Sequence, residues 1–233
     1  MASNHAYRRS RYAGKDVVYK DEVKEPLTAG IREAIVMRDS VNFLFEVGIL
    51  KKIPRSGYQF LGTGAESVAE HSFRVAVIAY VLAKNEPKAD IQKLILMSLF
   101  HDFHEARTGD HNYVNKKYVT VNEDDAVNDL TKKLPYGEEI VSLIDEFNSR
   151  ETLEARLSQD ADQLDFILEL KRQQDLGNHS AAEWLRYSVK RLTTNLAKKM
   201  ASEIIVTDSS DWWFEKNEEL WVKRPEKKIS EHS

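Results

Sequence analysis

The chain has 233 residues, enough for one large domain or two small ones with a sizeable core. A formal net charge of −4, with 31% charged residues, does not mark nucleic acid as the main partner. The absence of cysteine excludes disulfides, thiolate nucleophiles and thiolate metal sites; with no apolar run of the ~18 residues a membrane span needs and no hydrophobic signal core, a cytoplasmic protein without a membrane partner is expected.

Residues 1–26 are polar, with Arg8, Arg9, Arg11 and Lys15 close together, and read as a flexible or loosely docked arm. From Thr28 the pattern turns helical: Ile31, Ile35, Phe43, Leu44, Val47 and Leu50 recur at three- and four-residue spacing. KKIPRSGYQFLGTG, with a Pro and three Gly, breaks it as a loop. ESVAEHSFRVAVIAYVLAKN follows as a buried helix whose apolar face is predicted to be Val68, Phe73, Ala76, Val77, Tyr80 and Val81. ADIQKLILMSLFHDF is a second strongly apolar helix, with Asp90 as its cap. Residues 109–121 are irregular, Asn122 caps a helix running to Leu134, and residues 136–147 form another.

ETLEARLSQDADQLDFILELKRQQDL then reads as a long helix with Leu153, Leu157, Ala161, Leu164, Ile167 and Leu168 along one face. SAAEWLRYSVKRLTTNLAKKMASEII is amphipathic, and SDWWFEKNEELW suggests a short terminal helix with an aromatic face. There is no convincing strand pair and no internal repeat. The chain reads as all-α: an arm over 1–26, a helical domain over 27–205 and an extension over 206–233.

The run LILMSLF ends abruptly in HDFHEARTGD, which places His101, Asp102, His104, Glu105 and Asp110 at the end of an apolar helix. Such groups are costly to bury unpaired. Two other apolar helices carry comparable residues, His71 after SVAE and Asp162 within SQDADQLDF. Imidazole plus carboxylate without thiolate is a ligand set for a first-row divalent ion, or for Mg where water and carboxylate dominate. Taken singly, each has a plainer role. His71 suits a hydrogen-bonded core histidine, His101 a cation at a helix C-terminus, and Asp162 a solvated stripe shared with Asp160, Asp165 and Glu169. The joint order is more telling: a His, a His-Asp pair thirty residues on, and an Asp sixty residues further.

That order, with the text ESVAEHSFRVAVIAYVLA, LFHDFHEARTGD and QDADQLD, resembles the HD-domain metal-dependent phosphohydrolases, and within them the 5′-deoxynucleotidase-like branch. The resemblance runs from about Leu44 to Glu169. It implies a single helical bundle of the HD type and one divalent metal ion (Mn, Co, Fe, Mg, Ni or Zn). It makes His71, His101, Asp102 and Asp162 the metal ligands and sets Glu105 and Asp110 beside the attacking water. Arg55, in IPRSGY, resembles the arginine that family members use on the substrate phosphate. Many members follow it with Trp; here the nearest aromatic residue is Tyr58. The implied substrate is a small phosphate ester, a nucleotide, and the implied assembly a homodimer.

The chemistry accounts for these residue types. Phosphate-ester hydrolysis is slow because water is a poor nucleophile and the phosphoryl group is anionic, and a divalent ion eases both problems. Glu105 is the candidate for moving a proton, Arg55 for gripping phosphate in a forked pair, and Asp110, after Gly109, for orienting water or a sugar hydroxyl. The expected reaction is hydrolysis of deoxynucleoside 5′-monophosphates through a metal-activated water. The alternatives are a phosphodiesterase or nucleotide triphosphohydrolase on the same scaffold, or a non-catalytic metal-binding regulatory module. No histidine lies between His111 and His179 to serve a second metal.

Overall fold

A computed structural model of the chain describes residues 7–12, 15–20 and 29–214. It opens with a hairpin: β1 (Tyr7–Tyr12) pairs antiparallel with β2 (Lys15–Lys20), Tyr7 opposite Lys20 and Tyr12 opposite Lys15. The sequence reading expected no strand pair, because neither strand alternates apolar and polar residues in a way that marks a buried face. The rest of the expected arm, 1–6, 13–14 and 21–26, lies outside the described residues.

Apart from one bridge between Pro54 and Ser67, the other regular structure among the described residues is helical; the periodicity predicts it except at Tyr58–Leu61, a single helical turn inside the expected loop. In chain order the helices are α1 (Ala29–Val47), α2 (Tyr58–Leu61), α3 (Val68–Asn85), α4 (Ile91–Phe100) and α5 (Glu105–Thr108). They continue with α6 (Glu123–Thr131), α7 (Gly137–Ser149), α8 (Leu153–Asp175), α9 (His179–Ser188) and α10 (Asn195–Val206). Tight 3₁₀ turns follow α1 (Gly48–Lys52) and α9 (Val189–Arg191).

Short polar side chains set most helix starts, because the first backbone N–H groups of a helix have no partner within it. Ser67 accepts from Glu70 N while the Glu70 carboxylate accepts from Ser67 N, a reciprocal cap on α3. Asp90, Asn122, Thr152, Asn178 and Thr194 do the same one-sidedly for α4, α6, α8, α9 and α10.

The bundle is organised around α8. Leu157, Ala161, Leu164, Ile167 and Leu170 are 0–1% exposed and pack against Val75, Ala79 and Leu82 of α3, Leu94 of α4, and residues of α9 and α10. A second cluster joins Leu50, Val68, Phe103, Val127, Leu130, Ile140 and Ile144. Because α8 is covered on several sides, its polar residues are buried too. Ser158, Asp160, Asp165, Glu169 and Gln173 are at most 6% exposed, which removes the plainer reading of a solvated acidic stripe.

Three further differences have local causes. On α3 the buried stripe is Val68, His71, Ser72, Val75, Ile78, Ala79 and Leu82, while Phe73, Val77, Tyr80 and Val81 face solvent. The helix has two apolar faces, and polar His71 and Ser72 disguised the buried one. The amphipathic stretch after residue 179 is broken at Leu192–Thr194, because Asp160 draws Thr193 N and Thr194 N out of helical pairing, each at 2.8 Å. The helix from Asn122 stops at Thr131, three residues before Leu134. The predicted terminal helix falls mostly beyond the described residues; Ser210–Phe214 form a turn, with Trp213 and Phe214 rings 5.5 Å apart.

Candidate metal centre and cleft

His71 sits in the first turns of α3, fully buried, and α8 crosses behind it. Its Nδ1 lies 2.7 Å from Asp165 Oδ2. That carboxylate can only accept, so Nδ1 carries the proton and Nε2 presents its lone pair forward. His101 caps the C-terminal end of α4 and repeats the device: its Nδ1 donates to Ser98 O at 2.8 Å, and Nε2 is left facing forward. The rings meet edge to face with centroids 5.4 Å apart, and His101 also packs on Phe147.

Both forward nitrogens are buried without a hydrogen-bond partner. An orphaned buried polar atom costs on the order of 1–3 kcal/mol, so two together need a reason. Asp102 Oδ2 lies 3.1 Å from His101 Nε2 and 3.7 Å from His71 Nε2, and Asp162 Oδ1 lies 3.1 Å from His71 Nε2, none in hydrogen-bonding alignment. His71, His101 and Asp102 each offer a donor atom within 4.8 Å of the other two, a spacing one cation can span. Burial and Arg55 both disfavour a charge on His71, yet Asp162 and Asp165 outweigh them and raise its pKa to about 10, so a proton and a divalent ion compete for the same Nε2 lone pair. The site therefore attracts a cation, and two tautomerically fixed imidazoles with two carboxylates are a set that fits a divalent ion.

α4 ends at Phe100 and the chain tightens, with Phe103 N bonded to Phe100 O and Glu105 N to Asp102 O, both at 3.0 Å. At that 3₁₀-like pitch residues three apart align, so Asp102 and Glu105 face the same cleft. Glu105 Oε2 is buried and unpaired. Burial, with Asp102 and Asp110 nearby, raises the Glu105 pKa to about 9. Asp102 responds oppositely: burial would raise it, but His101, Arg55 and His71 hold it well below the usual carboxylate range.

Arg55 Nη1 lies 3.3 Å from Asp102 Oδ2, which puts its guanidinium beside the candidate ligands. Gly109, at φ 75° and ψ 163°, uses a conformation open essentially to glycine alone and turns the chain so that Asp110 faces back. Asp110 Oδ2 accepts from both Ser56 N and Ser56 Oγ, so it is committed to holding the Arg55–Ser56 loop. Tyr58 lines the cleft with its ring but donates its hydroxyl to Glu66 at 3.3 Å. Gly64, at φ +82°, lies so close to that ring that a Cβ there would meet it at 2.8 Å.

The sequence reading missed the support behind His71. Arg74, one turn along α3, bonds Asp165, Glu66 (3.1 Å) and Glu169, and so balances three carboxylates. Burial alone would raise Asp165, but His71 and Arg74 keep it low, as the ionised acceptor His71 requires. The DQLDFILEL spacing held this signal, since Asp165 follows Asp162 by three residues. The cleft has a volume of about 950 Å³ and runs from Arg55, Asp102, Glu105 and Asp162 towards Phe166, Trp184 and Tyr187. Those aromatic residues were also missed. Lys116 also borders the cleft, whereas His104 lies in a separate groove with Glu123.

The 5′-deoxynucleotidase HDDC2 of Bos taurus is 31% identical over 147 residues, covering 60% of this chain and 71% of that protein. Its Homo sapiens counterpart is 30% identical over 145 residues, covering 60% and 70%. A conserved hypothetical protein from Pyrococcus furiosus superposes with a TM-score of 0.63 at 28% identity, over 70% of this chain and 98% of its own. A predicted metal-dependent phosphohydrolase from Magnetospirillum magnetotacticum, 22% identical over 74% of this chain and 92% of its own, shares the fold with a TM-score of 0.60. The HD domain family model matches residues 47–205, a span that takes in His71, the His101-Asp102 pair and Asp162, and the chain belongs to the HD domain family.

Proposed function

We propose that the chain is a metal-dependent phosphohydrolase that converts deoxynucleoside 5′-monophosphates to deoxynucleosides and phosphate. The observation that carries this reading is the pair of buried, unpartnered Nε2 atoms of His71 and His101, facing Asp102 and Asp162 in a cleft that also holds Arg55 and Glu105. The HDDC2 relatives, named as 5′-deoxynucleotidases, support the substrate class.

His71, His101, Asp102 and Asp162 would hold one divalent ion. Such an ion supplies Lewis-acid chemistry, lowering the pKa of water and offsetting charge on a phosphoryl oxygen. Arg55 exchanges its contact with Asp102 for the phosphate, whose oxygens match its fork of donors. As the water oxygen bonds to phosphorus and the bond to the 5′ oxygen breaks, Glu105 moves a proton through Oε2. A carboxyl that binds its proton this firmly can deliver it to the leaving oxygen and be recharged by the attacking water. Asp110 keeps Arg55 in place through Ser56, and Tyr58 forms the cleft wall beside it.

The homodimer belongs to the same reading. Met37, Leu44 and Phe45 of α1 are 63–75% exposed, and Phe73, Val77 and Tyr80 of α3 are exposed as well, large apolar side chains of the kind that subunit interfaces cover. A second copy covers these helices. No helix among the described residues is long and apolar enough to cross a membrane; with no cysteine in the chain, we place it in the cytoplasm.

The test is orthophosphate release from a panel of deoxynucleoside 5′-monophosphates with Mn, Co or Mg. Metal-stimulated release is expected, and Glu105→Gln is expected to keep the ion while turnover falls ~10²–10⁴-fold. No release from any monoester, or pyrophosphate or triphosphate as the product, contradicts the assignment. Sedimentation would show a dimer that Phe73→Asp splits; a monomeric wild-type chain removes the second copy.

A further inference from the structure

We propose that the end of the cleft away from the metal centre is a stacking subsite for the base of the leaving group, formed by Phe166, Trp184 and Tyr187. The inference rests on the monoesterase reading and adds what the enzyme recognises beyond the phosphate.

α8 carries both ends of the site. Asp162 lies at the metal end, and Phe166, four residues on, lies on the same face about one turn further, roughly 6 Å along the axis. That is the scale of the sugar separating a 5′-phosphate from its base. The opposite wall comes from α9 and the turn after it. Trp184, Tyr187 and Arg191 recur at helical spacing and all border the cleft.

Core packing accounts for only part of this wall. Phe166 and Trp184 rest on the core with one side, but each remains partly open, and Tyr187 is 55% exposed. The Phe166 and Trp184 rings are 6.4 Å apart at 49°, a corner rather than a closed stack, so each leaves a face for a third ring. The carboxylates bordering the cleft are engaged elsewhere: Asp102 and Asp162 lie against His71, Asp110 holds Ser56, Glu66 and Asp165 pair with Arg74, and Glu105 follows Asp102 by three residues. A planar base at the aromatic end therefore meets π faces and the Arg191 cation rather than fixed negative charge. Gln163, between Asp162 and Phe166, also borders the cleft, and its amide nitrogen is buried without an acceptor. A carbonyl or ring nitrogen on the substrate can pair it after a small turn of the amide.

Stacking accepts every base, because each has a π face. The inference therefore predicts preference for nucleotides over bare sugar phosphates, with little discrimination among bases.

The experiment compares wild type with Trp184→Leu and Tyr187→Leu, which keep an apolar side chain but remove the rings. With the Mn-loaded protein, kcat/KM is measured for deoxynucleoside 5′-monophosphates and for deoxyribose 5-phosphate, and deoxynucleoside binding is measured by calorimetry. Trp184→Leu is expected to lower kcat/KM for the nucleotides about tenfold, mostly through KM, to leave the sugar phosphate unchanged, and to weaken deoxynucleoside binding by a similar factor. Equal losses on both substrates, or unaltered deoxynucleoside affinity in both variants, would overturn the subsite. The binding arm does not need turnover. If no monoester is hydrolysed, the proposed activity fails, while Trp184-dependent deoxynucleoside binding still upholds the subsite.

Discussion

Two aspartates two residues apart on α8 do opposite work. Asp160 is 1% exposed, yet its oxygens accept from Thr193 N, Thr194 N and the Thr193 hydroxyl, so the carboxylate is satisfied and the chain between α9 and α10 is pinned to it. Asp162 opens onto the cleft and lies against a histidine nitrogen that has no partner. The same residue type on one helix serves as a structural clamp where the fold satisfies it and as a candidate ligand where the fold leaves its surroundings unsatisfied. The partner each carboxylate meets, rather than its charge, separates the two.

The contrast can be broken from either side. Asp162→Asn keeps the volume and removes the charge, so turnover should fall on the order of 10³-fold with the melting temperature nearly unchanged; phosphate release beside a thermal melt reads both. Asp160→Ala should do the reverse. Two part-buried N–H groups lose their acceptor, costing about 1–2 kcal/mol, roughly tenfold in the folding equilibrium, while activity per folded molecule persists. If Asp160→Ala abolished turnover at unchanged stability, the division between the two aspartates would be wrong.

Smaller changes sharpen it. Asp165→Asn removes the anion behind His71 and frees the imidazole to turn, so metal affinity should drop about 10–100-fold by competition with a chelating dye. Affinity equal to wild type would show that Asp165 serves only to balance Arg74. Arg55→Lys keeps the charge but loses the fork; KM should rise about tenfold with metal affinity unaltered, and a loss of metal instead would mean that Arg55 supports the ligands rather than the substrate.

Much of this was legible in the sequence. Helix starts were readable where a short polar side chain accepts the backbone of its own helix, as at Asp90 and Asn122. The HD pair was conspicuous because His101 and Asp102 interrupt an apolar run. The pairing between distant segments was not readable: nothing near Asp160 announces Thr193, and nothing near Asp165 announces His71. The buried face of α3 was misjudged because His71 and Ser72 lie on it, so the periodic signal pointed to the more uniformly apolar row of Phe73, Val77 and Tyr80. The hairpin β1–β2 has no apolar alternation to reveal it. The aromatic wall was hidden because Trp184 and Tyr187 lie on an amphipathic helix whose pattern alone does not say what its open face looks onto.

The most direct measurement is metal stoichiometry with and without the central imidazole. Protein stripped of metal and titrated calorimetrically with Mn should take up one ion per chain and regain phosphate release in step with occupancy, and His101→Ala should take up none over the same range. Full phosphate release from a deoxynucleoside monophosphate by stripped protein, or uptake by His101→Ala equal to wild type, would contradict the claim that His71, His101, Asp102 and Asp162 converge on one catalytic cation.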